Sequence, residues 1–279
     1  MPMLRVFNPF VVLALGLFIA TGCNAFEFMY SDDSDDPEVL FDDAQIALQN
    51  GDTEKAIDLL EKALEMDPEN PEIKIELTSA LFQGSEIDLL VMKDLAEFIS
   101  ETPASASKGF IKASVMSMPT CNFGDGITST ELDLTQDPAY QLLSDKEDVL
   151  ARALELLYNT LETEEAANLH ANILSNAHLM RAISNMAVSI IEIKEKADEA
   201  QATLHRLSNG SIGYCAADQE ALEELESFIM CDKLPAIDQA VDDLVSRQTL
   251  FSDDDSDLAE ALADARAEIT GAINVECSI

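Results

Sequence analysis

Two apolar stripes of helical period, separated by a glycine turn and stopped by proline, run through "PEVLFDDAQIALQNGDTEKAIDLLEKALEMDPENPEI" from Pro37 to Ile73. Leu40 and Ala44 are one turn apart on the first stripe, and Ala56, Leu60 and Ala63 share one face of the second. Alanines on such a face let two helix axes approach closely. Gly51, followed by Asp52, supplies the turn between them, and Pro68 ends the second helix. A lone helix pair of this kind cannot bury its apolar faces by itself. The chain must therefore repeat the unit or cover it with further helices.

The first option begins at once. Pro71 follows Pro37 by 34 residues, and "PEI" restates "PEV". The set Leu40, Ala44, Gly51, Ala56, Leu60, Ala63 and Pro68 resembles a tetratricopeptide repeat, with Asp43 and Ala47 where that family usually carries leucine and an aromatic. Leu77, Leu81 and Gly84 continue like a second unit. Its second helix, near 87–99, has Leu90 and Glu97 where small residues belong and reads as a cap. The resemblance spans residues 37–99. It implies stacked antiparallel helix pairs presenting a concave face to a protein or peptide partner.

Periodicity fails over 100–137, an irregular connection rich in Ser, Thr, Gly and Pro. The helical stripe returns from Lys146 with Val149, Ala153, Leu156 and Leu157, and a long helix is expected over Thr163–Leu207. Three more helices are expected near 217–230, 235–249 and 257–273, with Pro235 in the first turn of the second. No strand alternation is visible. The expected class is all-α: antiparallel helix pairs stacked as a short solenoid, with a less regular helical region over 138–279 packed on the repeats.

The amino terminus indicates a destination. Arg5 precedes an apolar run of about fifteen residues, shorter than the roughly 20 needed to cross a bilayer and interrupted by Pro9. That is the pattern of a secretory signal. Ala20, Thr21, Gly22 and Cys23 resemble the lipobox of bacterial lipoproteins. This resemblance implies removal of residues 1–22, a diacylglyceryl thioether on Cys23 and acylation of the new amino terminus. Asn24 is not the aspartate associated with inner-membrane retention, so the expected location is the outer membrane of a diderm bacterium. Residues 23–36 are acidic towards their end and should form a solvated tether.

With 54 acidic and 16 basic residues the net charge is -38, which repels nucleic acid, while 47% hydrophobic residues suffice for a core. His170, His178 and His205 fall in the one long helical segment without shared ligand spacing. Asp253, Asp255 and Asp257, with Asp264 further on, have the alternate spacing of a calcium loop, but Leu258 replaces its glycine and no glutamate closes it, so a helix cap is the better reading. No metal, cofactor or catalytic set is expected. Asn168, Asn172, Asn176 and Asn185 either decorate an exposed face or line a groove facing a ligand. The expected function is a lipid-anchored scaffold for protein partners. The alternative is a helical ligand-binding or adaptor component of an envelope transport system, which a deep pocket beside Asn172 and Asn176 would favour.

Once Cys23 is assigned to lipid, Cys121, Cys215, Cys231 and Cys277 remain, an even number in an oxidising compartment. A helix between Cys215 and Cys231 would hold them apart. Antiparallel helices near 235–249 and 257–273 would return Cys277 to Cys231, leaving Cys121 for Cys215.

Overall fold

The computed structural model describes residues 34–87, 90–92, 94–95, 129–207 and 212–250. The lipobox, most of the tether, Cys121, Cys277, the aspartates from Asp253 onward and the helix expected over 257–273 lie outside them. The chain forms two compact units, one up to Pro68 and one from Glu69.

The first unit contains α1 (Pro37–Gln49) and α2 (Thr53–Met66), packed on one another. Asp36 caps α1, accepting from the Glu38 amide at 3.0 Å. At the other end the Gly51 amide donates to the Leu48 carbonyl and the Asp52 amide to that of Ala47, the paired bonds of a Schellman stop. Gly51 has φ +79°, and a Cβ there would meet nothing within 4 Å. Glycine is needed for its left-handed backbone and not for space. Asp52 then caps α2 through the Lys55 amide. Leu40, Ala44, Ala47, Ala56, Leu60 and Ala63 are all buried completely. Ala47, unusual for the family, is thus a core position, and Asp43 beside it is buried too.

The alanine face is therefore sensitive to size. Ala63→Leu should destabilise the helix pair by about 1–3 kcal/mol through overpacking, and Ala56→Glu, which buries a charge, should do more harm. Urea unfolding followed by circular dichroism measures both. An Ala63→Leu protein as stable as the parent would contradict the close seam.

In the second unit, Asn70 caps α3 (Pro71–Ser85), accepting from the Glu72 and Ile73 amides, and Asp137 caps α4 (Pro138–Asp145). Next come α5 (Glu147–Leu157), α6 (Ala171–Glu199), α7 (Gln219–Ser227), a π-helical turn (Phe228–Lys233) and α8 (Leu234–Leu250). The long helix α6 is the spine, packing on α3, α5 and α8. Ile75, Phe82, Leu143, Leu150, Leu157, Ile183 and Ile191 form its main core. Burial pushes the Tyr140 phenol, at the edge of this core, up to about 12, and the Tyr214 phenol higher still.

The described chain is predominantly helical, as the periodicity implied, but three expectations change. The long helix does not run over Thr163–Leu207. Short 3-10 turns at Thr160–Glu162 and Ala166–Asn168 precede it, and it stops at Glu199, with Gln201 at φ 50°. Beyond that stop the chain is extended. The strands β1 (Ser129–Leu132), β2 (Thr203–Leu207) and β3 (Ile212–Cys215) form an antiparallel sheet in the order β1-β2-β3, with Glu131 opposite His205 and Leu204 opposite Tyr214. Strands of four and five residues are too short to show alternation. Asn209-Gly210, between β2 and β3 in sequence, was the available hairpin signal.

The third change is at Pro235, where two separate helices were expected. The chain remains helical from α7 into α8 through the wider π-helical turn. Proline has no amide hydrogen to donate to the preceding turn, and the wider ring accommodates this. Within that turn Lys233 pairs with Glu192 of α6 and lies 5.0 Å from the Phe228 ring centroid.

Cys215 and Cys231 are each disulfide-bonded. The chain between them is helical from Gln219 onward, about 18 Å of helix at about 1.5 Å per residue. Bonded cysteines have Cα atoms about 5.5 Å apart, so a bond between these two would require the segment before Gln219 to fold back along the helix.

Candidate functional site

Two features can carry function, one in each unit. In the first, the α1–α2 pair buries its predicted seam and leaves Val39 and Ile46, two turns apart on α1, 39% and 43% exposed. Apolar side chains spaced in this way on an acidic helix pair can anchor an extended or helical partner.

In the second unit, the carboxyl end of α5, the following turns, the middle of α6 and the start of α8 enclose a pocket of about 330 Å³. At its base lies Arg181 of α6, 4% exposed. Its Nε donates to Asp243 Oδ2 at 2.8 Å and its Nη2 to Oδ1 at 2.6 Å, a two-pronged pair joining α6 to α8. Its Nη1 donates to the Tyr158 carbonyl at 3.2 Å and lies 3.5 Å from that of Leu157. Those carbonyls belong to the last turn of α5, where no helical amide is left to serve them. His178, one turn before Arg181, places Nδ1 2.9 Å from Asp243 Oδ1. One buried carboxylate thus organises two groups of α6, while the guanidinium holds the end of α5.

Above this base the wall is polar. Asn159, Asn185 and Gln239 line the pocket, and among the described residues none of their carboxamides makes a hydrogen bond. Glu162 Oε1 stands 3.9 Å from Arg181 Nη1, too far for a hydrogen bond, with its side chain 68% exposed. Leu154, Tyr158, Pro235 and Ala236 supply the apolar surface.

Of the four asparagines singled out in the sequence, only Asn185 reaches this pocket. Asn172 and Asn176 are exposed elsewhere on α6, and Asn168 donates to the Glu164 carbonyl at 2.9 Å. The three histidines do not lie in one helix. His170 caps α6 and His205 lies on β2, its Nε2 2.9 Å from the Thr203 hydroxyl. Among the described residues no group of three or more His, Cys, Asp or Glu could hold a metal ion. The Arg181–Asp243 pair was missed. A lone arginine inside the apolar stretch "HLMRAISNMAV" was the available signal, because a buried cation demands a partner. With 54 acidic residues in the chain, the partner could not be identified from sequence.

A tetratricopeptide-repeat family model matches residues 24–74 and, overlapping them, 47–88. No curated protein and no solved structure matches the chain. The amino-terminal region is thus similar to tetratricopeptide repeats, a likeness that supports a protein-binding surface there.

Proposed function

We propose that this protein is a lipid-anchored scaffold of the cell envelope that captures a protein or peptide through its tetratricopeptide-like helix pair, without enzymatic activity of its own. The repeat match over a helix pair with exposed Val39 and Ile46 carries the reading. The chain's charge of -38 favours a basic partner and an association that weakens as salt is raised. Crosslinking in the native membrane followed by mass spectrometry would identify it. Capture should be lost when residues 37–68, the helix pair of the first unit, are deleted or when Ala56→Glu opens the seam. Capture that survives the deletion would move the function to the second unit.

The lipobox-like "ATGC" supports anchoring through Cys23, followed by an acidic tether, most simply at the outer membrane of a diderm bacterium. Among the described residues no helix is long and apolar enough to cross a membrane. Cys23→Ser should leave the precursor unprocessed or release the protein from the membrane fraction. A variant still cut at the same bond and still sedimenting with membranes would overturn the lipid anchor.

A further inference from the structure

We propose that the pocket between α5, α6 and α8 binds an organic cation, an ammonium or guanidinium group accompanied by a second polar group. The proposal is independent of the repeat reading, because every lining residue belongs to the second unit. The pocket's volume of about 330 Å³ lies at the lower end of the range for small-ligand sites. Its three carboxamides, on Asn159, Asn185 and Gln239, are without hydrogen-bond partners among the described residues. Each can both donate and accept, so together they fit amide, amine or hydroxyl groups.

The sign of the ligand's charge follows from how Arg181 is used. Nε and Nη2 face Asp243, and Nη1 faces the carbonyls of α5. No free fork remains to grip a carboxylate or phosphate, and the Asp243 charge cancels that of the guanidinium. Glu162 is then the uncompensated charge on the wall, approaching only the far nitrogen of an arginine that is already paired. Tyr158, 71% exposed, offers a ring face on which a cation gains further attraction. The negative potential of the whole chain acts in the same direction, against anions. Leu154, Pro235 and Ala236 suit a short methylene stem.

The same chemistry could arrive as a free amine or as a lysine side chain of a partner. The mature, full-length protein should be titrated by calorimetry at fixed ionic strength with putrescine, with Nα-acetyl-lysine N-methylamide and with the anionic Nα-acetyl-glutamate N-methylamide. Because so acidic a protein attracts any cation, the deciding comparison is Glu162→Gln against Glu61→Gln, an exposed carboxylate on α2. Glu162→Gln should weaken cation binding at least about tenfold, and Glu61→Gln should leave it within about twofold. Ala236→Trp, which fills the pocket, should abolish binding. If that variant proves misfolded by circular dichroism, Asn185→Leu replaces it and should weaken binding by a similar factor. Preference for putrescine assigns the site to a free solute, and preference for the lysine mimic to a partner's side chain. Either result upholds a cation site. Equal losses from Glu162→Gln and Glu61→Gln, binding of the glutamate mimic as tight as that of the cations, or no binding of either cation would overturn it.

Discussion

Asp243→Ala should lower the unfolding free energy by about 3–5 kcal/mol, because it removes the one carboxylate, among the described residues, paired at hydrogen-bond distance with a guanidinium buried to 4% exposure. Arg181 cannot retreat to water, since its Nη1 is tied to the last turn of α5 and its helix is the spine of the second unit. It would remain as a buried charge left with the exposed Glu162 carboxylate, 3.9 Å from Nη1 and beyond hydrogen-bond reach. The cost lies in breaking the pair and not in lacking one. A double replacement of Arg181→Met with Asp243→Leu, close to the original volumes, should therefore recover most of the loss. Urea unfolding of the two proteins, followed by far-UV circular dichroism, measures the difference. A loss below about 1 kcal/mol for Asp243→Ala would mean that the pair is solvated and that Arg181 does not anchor the pocket's base. The double variant also separates stability from binding. It should fold yet lose the positioned end of α5, and with it the pocket wall that carries Asn159 and Glu162.

Comparable losses should follow removal of either disulfide. Cys215 and Cys231 are both bonded, with a helix from Gln219 onward in the chain between them. If Cys121 is the partner of Cys215, the bond closes a loop of about a hundred residues, for which the chain-entropy account gives about 4–5 kcal/mol. A bond from Cys231 to Cys277 closes a shorter loop worth about 4 kcal/mol on the same account. Non-reducing peptide mapping should recover Cys121 with Cys215 and Cys231 with Cys277. A Cys215–Cys231 peptide, or four thiols freely alkylated in the native protein, would refute this pairing. The Cys215→Ala protein should unfold at lower urea than the parent, and reduction should add little to the Cys215 contribution already lost.

What could be read in advance depended on how local its cause was. The pair α1–α2 was legible residue by residue because its determinants lie within one repeat: a cap at Asp36, a left-handed glycine at 51, a second cap at Asp52 and alanines at the seam. Ala47 shows the limit of pattern matching. It stands where the repeat usually carries an aromatic, yet it is fully buried, as are Leu40 and Ala44 on the same helix, a good fit to close packing. The helical stripes of α5 and of the middle of α6 were equally local.

The sheet, the continuous passage through Pro235 and the polar pocket were decided elsewhere. Leu204 lies in a strand because Tyr214 and Leu132 flank it in a sheet, and Leu132 is far away in sequence. Asp243 matters because α8 returns along α6 and places one of the chain's many carboxylates opposite Arg181, the one deeply buried arginine among the described residues. By itself, the sequence determined the helical class, the repeat pair and its seam, since backbone periodicity and capping act over a few residues. Only the tertiary structure decided which polar side chains meet. Hydrogen bonds and ion pairs depend on positions within about 3 Å, and that proximity arises only once distant segments have packed.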